Sequence, residues 1–201
     1  MPIITQLKQQ RKQGRVNVYL DGKFAFGIDL ENLIKFNLKV EQELTEEEVE
    51  EIVKKAELQK TFDKLLRFAM LRPRSEKEVR DWFKRKDVHV SLYVDLIKKL
   101  KKFDLLDDKK FAEWWIDQRT AFRPRGERAL YAELMQKGID KNIIAAVLEE
   151  KDIDEVSIAK QLINRNEYKW KKYQGFDKKQ KIQQFLARKG FSWNVIKEVV
   201  K

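Results

Sequence analysis

The sequence predicts a mainly α-helical protein with a small β element at its N-terminus. Of the 201 residues, 38% are charged and 42% are hydrophobic, and only seven are Gly and three are Pro. Many charges and few helix breakers favour long helices over turn-rich β structure. Apolar residues recur at helical spacing from residue 49 onwards, whereas residues 3–26 alternate as strands do. The length and apolar content suffice for one or two packed domains.

The first thirty residues contain the strand signals. Val16, Val18 and Leu20 alternate with more polar neighbours, and Asp21-Gly22 separates them from the apolar residues 24–26. An Asp-Gly pair between alternating apolar segments is typical of a tight hairpin turn. We therefore expect a β-hairpin element at the start of the chain.

A long helix is predicted to follow the hairpin. Thr45 and Glu48 have the spacing of a capping box, in which each side chain binds the other residue's backbone N–H. Apolar residues continue at helical spacing to Ala69, and Pro73 forces the chain out of the helical conformation. The pattern leaves open whether this is one helix or two helices broken near Gln59.

The rest of the chain contains an internal repeat. Arg72-Pro73-Arg74 recurs 51 residues later as Arg123-Pro124-Arg125, and Lys137-Gly138-Ile139 is echoed 52 residues later by Lys189-Gly190-Phe191. A constant offset argues for duplication. We predict an N-terminal hairpin and linking helix over residues 1–58, followed by three-helix repeats over 59–106, 107–152 and 153–201. Such short units are expected to stack and share apolar surface, which would give a curved elongated rod.

Caps within the repeats follow from the same residues. Ser75 and Glu78 have the spacing of a second capping box, and Asp177 is a candidate N-cap in the third repeat. Gly138 and Gly190 stand where a helix ends in a left-handed conformation.

The net charge of +11 is unevenly distributed. Residues 1–60 have a net charge of −1, so the remainder carries +12. Within that remainder, the segments 61–106, 107–152 and 153–201 carry +6, −1 and +7. A surplus of Lys and Arg attracts polyanions. We therefore expect the outer repeats to face DNA and the middle repeat to face protein.

The residues needed for catalysis or for holding a cofactor are missing from the sequence. There is no Cys, no Gly-rich phosphate loop, and a single histidine, His89, which we interpret as a loop residue. The acidic run from Glu46 to Glu51 suits the first turns of a helix, where negative charge is favourable. We expect a non-enzymatic protein without metal or cofactor. Because no leader or membrane segment is visible, we also expect it to be cytoplasmic.

Basic side chains supply the candidate contact residues. They are Arg72, Arg74, Arg123 and Arg125 of the two Arg-Pro-Arg elements, Lys84, Arg85 and Lys86, and Lys169, Trp170, Lys171 and Lys172. Interleaved basic and aromatic residues suit single-stranded nucleic acid, because basic side chains bind its phosphates and aromatic rings stack on its bases. The alternatives are that the arginines cap preceding helices and that the lysines form solvated faces.

Three stretches of this sequence resemble the RecX family of recombinase regulators. They are residues 71–79, residues 105–112 leading to Arg119, and residues 123–139; residues 18–27 are also similar to a β extension of some members. The resemblance implies three tandem three-helix repeats. It also implies a regulator of homologous recombination, DNA repair and the SOS response that binds RecA and its filament on DNA. Filament growth, strand exchange and ATP hydrolysis by RecA would be inhibited.

The partners implied are therefore the RecA filament and the single- or double-stranded DNA within it. No membrane partner and no self-association are expected. The alternative function is a generic DNA-binding architectural helical-repeat protein, which would act without a recombinase. A metal-dependent nuclease is disfavoured because the carboxylates do not cluster in a metal-binding pattern.

Overall fold

A computed structural model describes residues 1–11 and 14–200 of the chain. These residues form two compact units, one comprising 1–72 and 87–100 and the other 73–86 and 101–201. The strands are β1 (Ile4–Gln9), β2 (Arg15–Leu20) and β3 (Lys23–Asp29). The helices are α1 (Leu30–Lys35), α2 (Glu46–Met70), α3 (Glu76–Arg85), α4 (Tyr93–Lys102), α5 (Asp108–Phe122), α6 (Glu127–Gln136), α7 (Lys141–Lys151), α8 (Glu155–Arg165), α9 (Glu167–Trp170), α10 (Gly175–Arg188) and α11 (Trp193–Val199). The mainly helical fold class is confirmed.

The N-terminal element is an antiparallel sheet in the order β1-β2-β3. The predicted hairpin joins β2 to β3, and its turn residues Asp21 and Gly22 have φ of 49° and 78°. Two successive positive φ values give the turn whose twist matches that of the flanking strands. The strand pattern that begins at residue 3 is confirmed by β1, which pairs with β2; Ile4 of β1 and Val18 of β2 are both buried.

The predicted long helix is a single helix, α2, without a break near Gln59. Its capping box is confirmed: Thr45 N donates to Glu48 Oε2 at 2.8 Å, and Glu48 N donates to Thr45 Oγ1 at 3.1 Å. Ile52 and Ala56 of α2 pack in one buried cluster with the apolar face of the sheet. This packing anchors the sheet to the helical part of the first unit.

The second and third repeats each have their own buried cluster. Helices α5, α6 and α7 enclose Phe111, Ile116, Leu134 and Ile144 among others. The third repeat encloses a separate group that is contributed by α8 to α11 and their connections: Ala159, Leu162, Trp170, Ile182, Leu186, Phe191 and Ile196. The fully buried side chains of these two repeats therefore form two separate clusters.

Two details of the third repeat differ from the sequence-based expectation. A one-turn helix, α9, is inserted between α8 and α10. Asp177 lies in the first turn of α10 and does not cap it, since the N-cap residue is Gln174. Gly138 and Gly190 have φ of 80° and 87°, which confirms the left-handed C-caps. In the described ranges, no helix is long and apolar enough to cross a membrane.

Candidate nucleic-acid interface

The N-terminus of α3 docks onto the second repeat through buried polar contacts. Ser75, which is fully buried, accepts from Glu78 N at 3.2 Å and donates its hydroxyl to Lys137 O at 2.8 Å. Next to it, Glu76 N donates to Asp108 Oδ1 at 2.9 Å. The N-cap predicted at Ser75 is confirmed, and the same side chain also joins two repeats. We call this the first junction.

The charge of the lysine at the first junction is compensated. Lys137 Nζ lies 2.7 Å from Glu78 Oε1 and 4.8 Å from the ring centroid of Trp115. Glu78 is the third residue of α3, so the helix that docks on Lys137 also supplies its carboxylate partner.

A second junction repeats this geometry between α6 and the third repeat. Gly126 N donates to Lys189 O at 3.0 Å, and Glu127 N donates to Glu155 Oε1 at 2.7 Å. Glu127 and Gly126 follow Glu76 and Ser75 by 51 residues, and Lys189 follows Lys137 by 52 residues. Both junctions thus have a hydrogen bond to the lysine carbonyl oxygen and one to a carboxylate. The donor to the lysine carbonyl is the Ser75 hydroxyl in the first junction and the Gly126 N–H in the second.

Each junction contains a desolvated carboxylate that opens the first helix of the next repeat. Burial raises the pKa of Asp108, although the hydrogen bond from Glu76 N partly opposes the rise. Burial likewise raises the pKa of Glu155, and the bond from Glu127 N opposes it. The matched environments support the equivalence of the two junctions.

The second junction differs from the first in its charges. The third residue of α6 is Ala129, where α3 has Glu78, so the docking helix brings no carboxylate to Lys189. Instead, Lys189 Nζ and Lys169 Nζ each lie 5.6 Å from the ring centroid of Phe185. Burial lowers the pKa of Lys189, and the charges of Arg125 and Lys169 lower it further. Three cations therefore gather where the first junction has an ion pair.

The charge of Arg125 acts on Lys189, and the ion pair that Arg125 forms with a carboxylate is long. Its Nε lies 3.6 Å from Glu133 Oε1, is buried, and has no hydrogen-bond partner among the described residues. The other oxygen of Glu133 accepts from Arg119 Nε at 2.6 Å and from Trp115 Nε1 at 2.9 Å. Glu133 is therefore shared between two arginines, and its shorter ion pair is with Arg119.

The placement of Trp170 corrects the sequence-based hypothesis. We expected an exposed stacking residue among lysines, but Trp170 is only 6% exposed and lies in the core of the third repeat. Its indole Nε1 donates to Ile163 O at 3.3 Å, and its ring packs edge-on against Phe185. The exposed aromatic residue of α9 is Tyr168, at 68%. Trp193, in the last helix of the third repeat, is also exposed, at 51%.

The remaining predicted contact residues are distributed over both units. Lys84, Arg85 and Lys86 are exposed at the C-terminal end of α3, and Lys171 and Lys172 are exposed after α9. Arg123 is exposed, whereas Arg72 and Arg74 are half-buried. Of all these predicted residues, Arg125 and Lys169 are the two whose charges act on Lys189.

Lys189 was not among the predicted contact residues. The signal that could have found it is the 52-residue offset from Lys137 together with Ala129 at the position of Glu78. The residues that the structure describes contain no group of three or more His, Cys, Asp or Glu side chains that could hold a metal ion.

Comparisons with known proteins identify the family. Family profiles match residues 2–45 as the regulatory protein RecX N-terminal domain, 107–148 as the second three-helix domain of RecX and 153–200 as its third. The regulatory protein RecX of Bacillus licheniformis is 37% identical over 198 residues, which are 98% of this chain and 75% of the relative. The Bacillus subtilis protein of the same name is 35% identical over 202 residues, with the same shares. A crystal structure of regulatory protein RecX has a TM-score of 0.80 at 27% identity and covers 99% of this chain and 98% of its own. The chain belongs to the RecX family of regulatory proteins.

Proposed function

We propose that this protein regulates homologous recombination and DNA repair by binding RecA and its nucleoprotein filament. In this proposal it inhibits filament growth, strand exchange and ATP hydrolysis by RecA, and it works as a monomer in the cytoplasm without a cofactor. Membership of the RecX family supports the regulatory role. The observation that supports the contact with the filament is the group of cations Arg125, Lys169 and Lys189, in which Arg125 has only a long contact with a carboxylate, Glu133 at 3.6 Å.

The physical basis is the attraction of a cationic protein to a filament that contains DNA. Phosphates in the filament attract Lys and Arg at long range, and bound counterions are released when the charges meet. Further positive charge comes from exposed residues at the end of α3 and after α9: Lys84, Arg85, Lys86, Lys171 and Lys172. Binding across neighbouring RecA protomers would oppose the addition of further protomers and would hold the filament in a less active state.

The experiment follows ATP turnover by RecA on single-stranded DNA while the protein is added below the RecA concentration. We expect turnover to fall at substoichiometric amounts, because one bound molecule affects several protomers of a filament. Binding to the filament should also be tighter than binding to bare DNA at the same salt concentration. Turnover that falls only when enough protein is present to occupy the DNA would contradict the proposal.

The second candidate function is a generic DNA-binding architectural protein. The net charge of +11 favours it, because that charge alone supports nonspecific binding. The same titration separates the two functions: an architectural protein binds bare DNA as tightly as it binds the filament, and it slows RecA only by competing for DNA.

A further inference from the structure

We propose that Arg125, Lys169 and Lys189 form a site for one phosphate of a nucleic-acid backbone, with Tyr168 at its edge to stack on a base. The inference deepens the proposed function, on which it rests for taking nucleic acid as the ligand. It assigns this phosphate contact to the second junction.

The first argument is the comparison of the two junctions. The same backbone arrangement holds Lys137 and Lys189, but Glu78 neutralises only Lys137, at 2.7 Å. At the second junction Ala129 stands in place of the carboxylate. Within residues 14–200, no Asp or Glu oxygen forms an ion pair with Lys169 or Lys189. A half-buried lysine that has no carboxylate partner and has two cationic neighbours is stabilised by a bound anion.

The three side chains of the site come from two repeats and differ in the donors they offer. Both lysines have Nζ 5.6 Å from the centroid of the Phe185 ring, and the charge of Lys169 acts on Lys189. Arg125 contributes from the other repeat a planar guanidinium, whose several donors suit phosphate oxygens. The three charges therefore converge from two repeats whose relative position the junction fixes.

The exposed ring of Tyr168 favours nucleic acid as the source of the phosphate. Tyr168 is 68% exposed, and its ring centroid lies 5.5 Å from Lys169 Nζ. An exposed aromatic ring beside a cationic group matches the alternation of base and phosphate along a single strand. A free anion or a protein carboxylate would make no use of this ring.

The test measures binding of the full chain to a fluorescent oligothymidine over a range of salt concentrations, without recombinase. Lys189→Gln and Lys169→Gln each remove one charge while keeping most of the stem. For single strands, each lost phosphate contact lowers the slope of log affinity against log salt by about 0.7, which corresponds to about fivefold weaker binding at 0.1 M salt. Because the three cations share one phosphate, the double variant should lose the same single contact and should also bind about fivefold more weakly.

The matched control is Lys197→Gln. Lys197 belongs to the same repeat and also lies over an aromatic ring, with Nζ 5.7 Å from the Trp193 centroid, but it is outside the three-cation group. We expect its variant to bind as the parent protein does. Equal losses in all three variants would show a general charge effect and would overturn the site. Unchanged DNA binding in Lys189→Gln and Lys169→Gln, with or without weaker binding to RecA protein alone, would overturn it as well.

Because this test contains no RecA, its outcome is separate from that of the ATP-turnover experiment. Inhibition of turnover that persists in Lys189→Gln and Lys169→Gln variants with parental DNA affinity would leave the regulatory proposal standing without this site.

Discussion

Replacing Gly190 by alanine adds only one methyl group, but it should markedly weaken the packing of α6 against the third repeat at the second junction. Gly190 has φ of 87°, and a Cβ built there would lie 2.3 Å from Ala129 Cβ and 2.6 Å from Ala129 N. The left-handed conformation and the contact with the backbone of α6 both make a Cβ at this position unfavourable. Neither cost can be avoided by rotating a flexible side chain. The helix α6 would have to move away from the third repeat.

The size of the effect follows from the two causes. An alanine in the left-handed region costs about 1–2 kcal/mol, and overpacking against a fixed neighbour costs about 1–3 kcal/mol. We therefore expect Gly190→Ala to lower the free energy of unfolding by about 2–5 kcal/mol. Gly175 is the matched control, because it also has positive φ, 49°, but a Cβ there meets nothing within 4 Å. Its alanine variant should lose only the conformational cost of about 1–2 kcal/mol.

Urea unfolding followed by tryptophan fluorescence gives the comparison of stabilities. Native-state amide hydrogen exchange locates the effect, because Gly126 N donates to Lys189 O across the junction and should lose protection in Gly190→Ala alone. If the two variants differ in stability by less than about 0.5 kcal/mol, within the scatter of ordinary surface substitutions, the close approach does not stabilise the junction. The junction would then not fix the positions of the three cations.

Three further predictions concern side chains near the junctions. Trp170→Phe should lower the free energy of unfolding by about 1–3 kcal/mol, through the smaller ring and the lost indole hydrogen bond, and should leave oligonucleotide affinity unchanged in the fluorescence assay. Tyr168→Ala should weaken binding to single-stranded DNA by about 1–3 kcal/mol and should not alter the urea midpoint; an unchanged affinity would contradict stacking. Asp108→Asn keeps an oxygen for Glu76 N but cannot ionise. Because the folded pKa of Asp108 is raised, its contribution to stability is greatest below the ordinary carboxyl pKa, about 4, and is lost as pH rises through the folded pKa. The variant should therefore unfold at neutral pH no more easily than the parent, with a flatter dependence of stability on pH, and a marked loss of stability at pH 7 would refute this.

The local features of the fold were predictable because short-range rules govern them. The Asp21-Gly22 turn, the Thr45 capping box and the left-handed glycines each depend on the conformation of a few consecutive residues. Trp170 was misplaced for a physical reason. Its lysine neighbours indicate a surface, but in the one-turn helix α9 a single face points inward and takes the tryptophan with it. Only the tertiary contact with Phe185 decides which aromatic residue of that helix is exposed.

The functional residues were harder to predict, because the charge of each repeat is the wrong quantity to compare. Segment totals of −1 for residues 107–152 and +7 for 153–201 suggested that the middle repeat faces protein and the third faces DNA. The structure instead places Arg125 of the middle repeat with Lys169 and Lys189 of the third, so the boundary between the segments passes through the candidate site. Equivalent residues are hydrogen-bonded in both junctions, although with different donors, whereas the third residue of the docking helix differs between the two repeats. Glu78 at that position gives an ion pair between repeats, whereas Ala129 leaves a cationic site. In a protein built from repeats, one side chain that differs at an equivalent position can thus leave a group of cations where the other repeat has an ion pair.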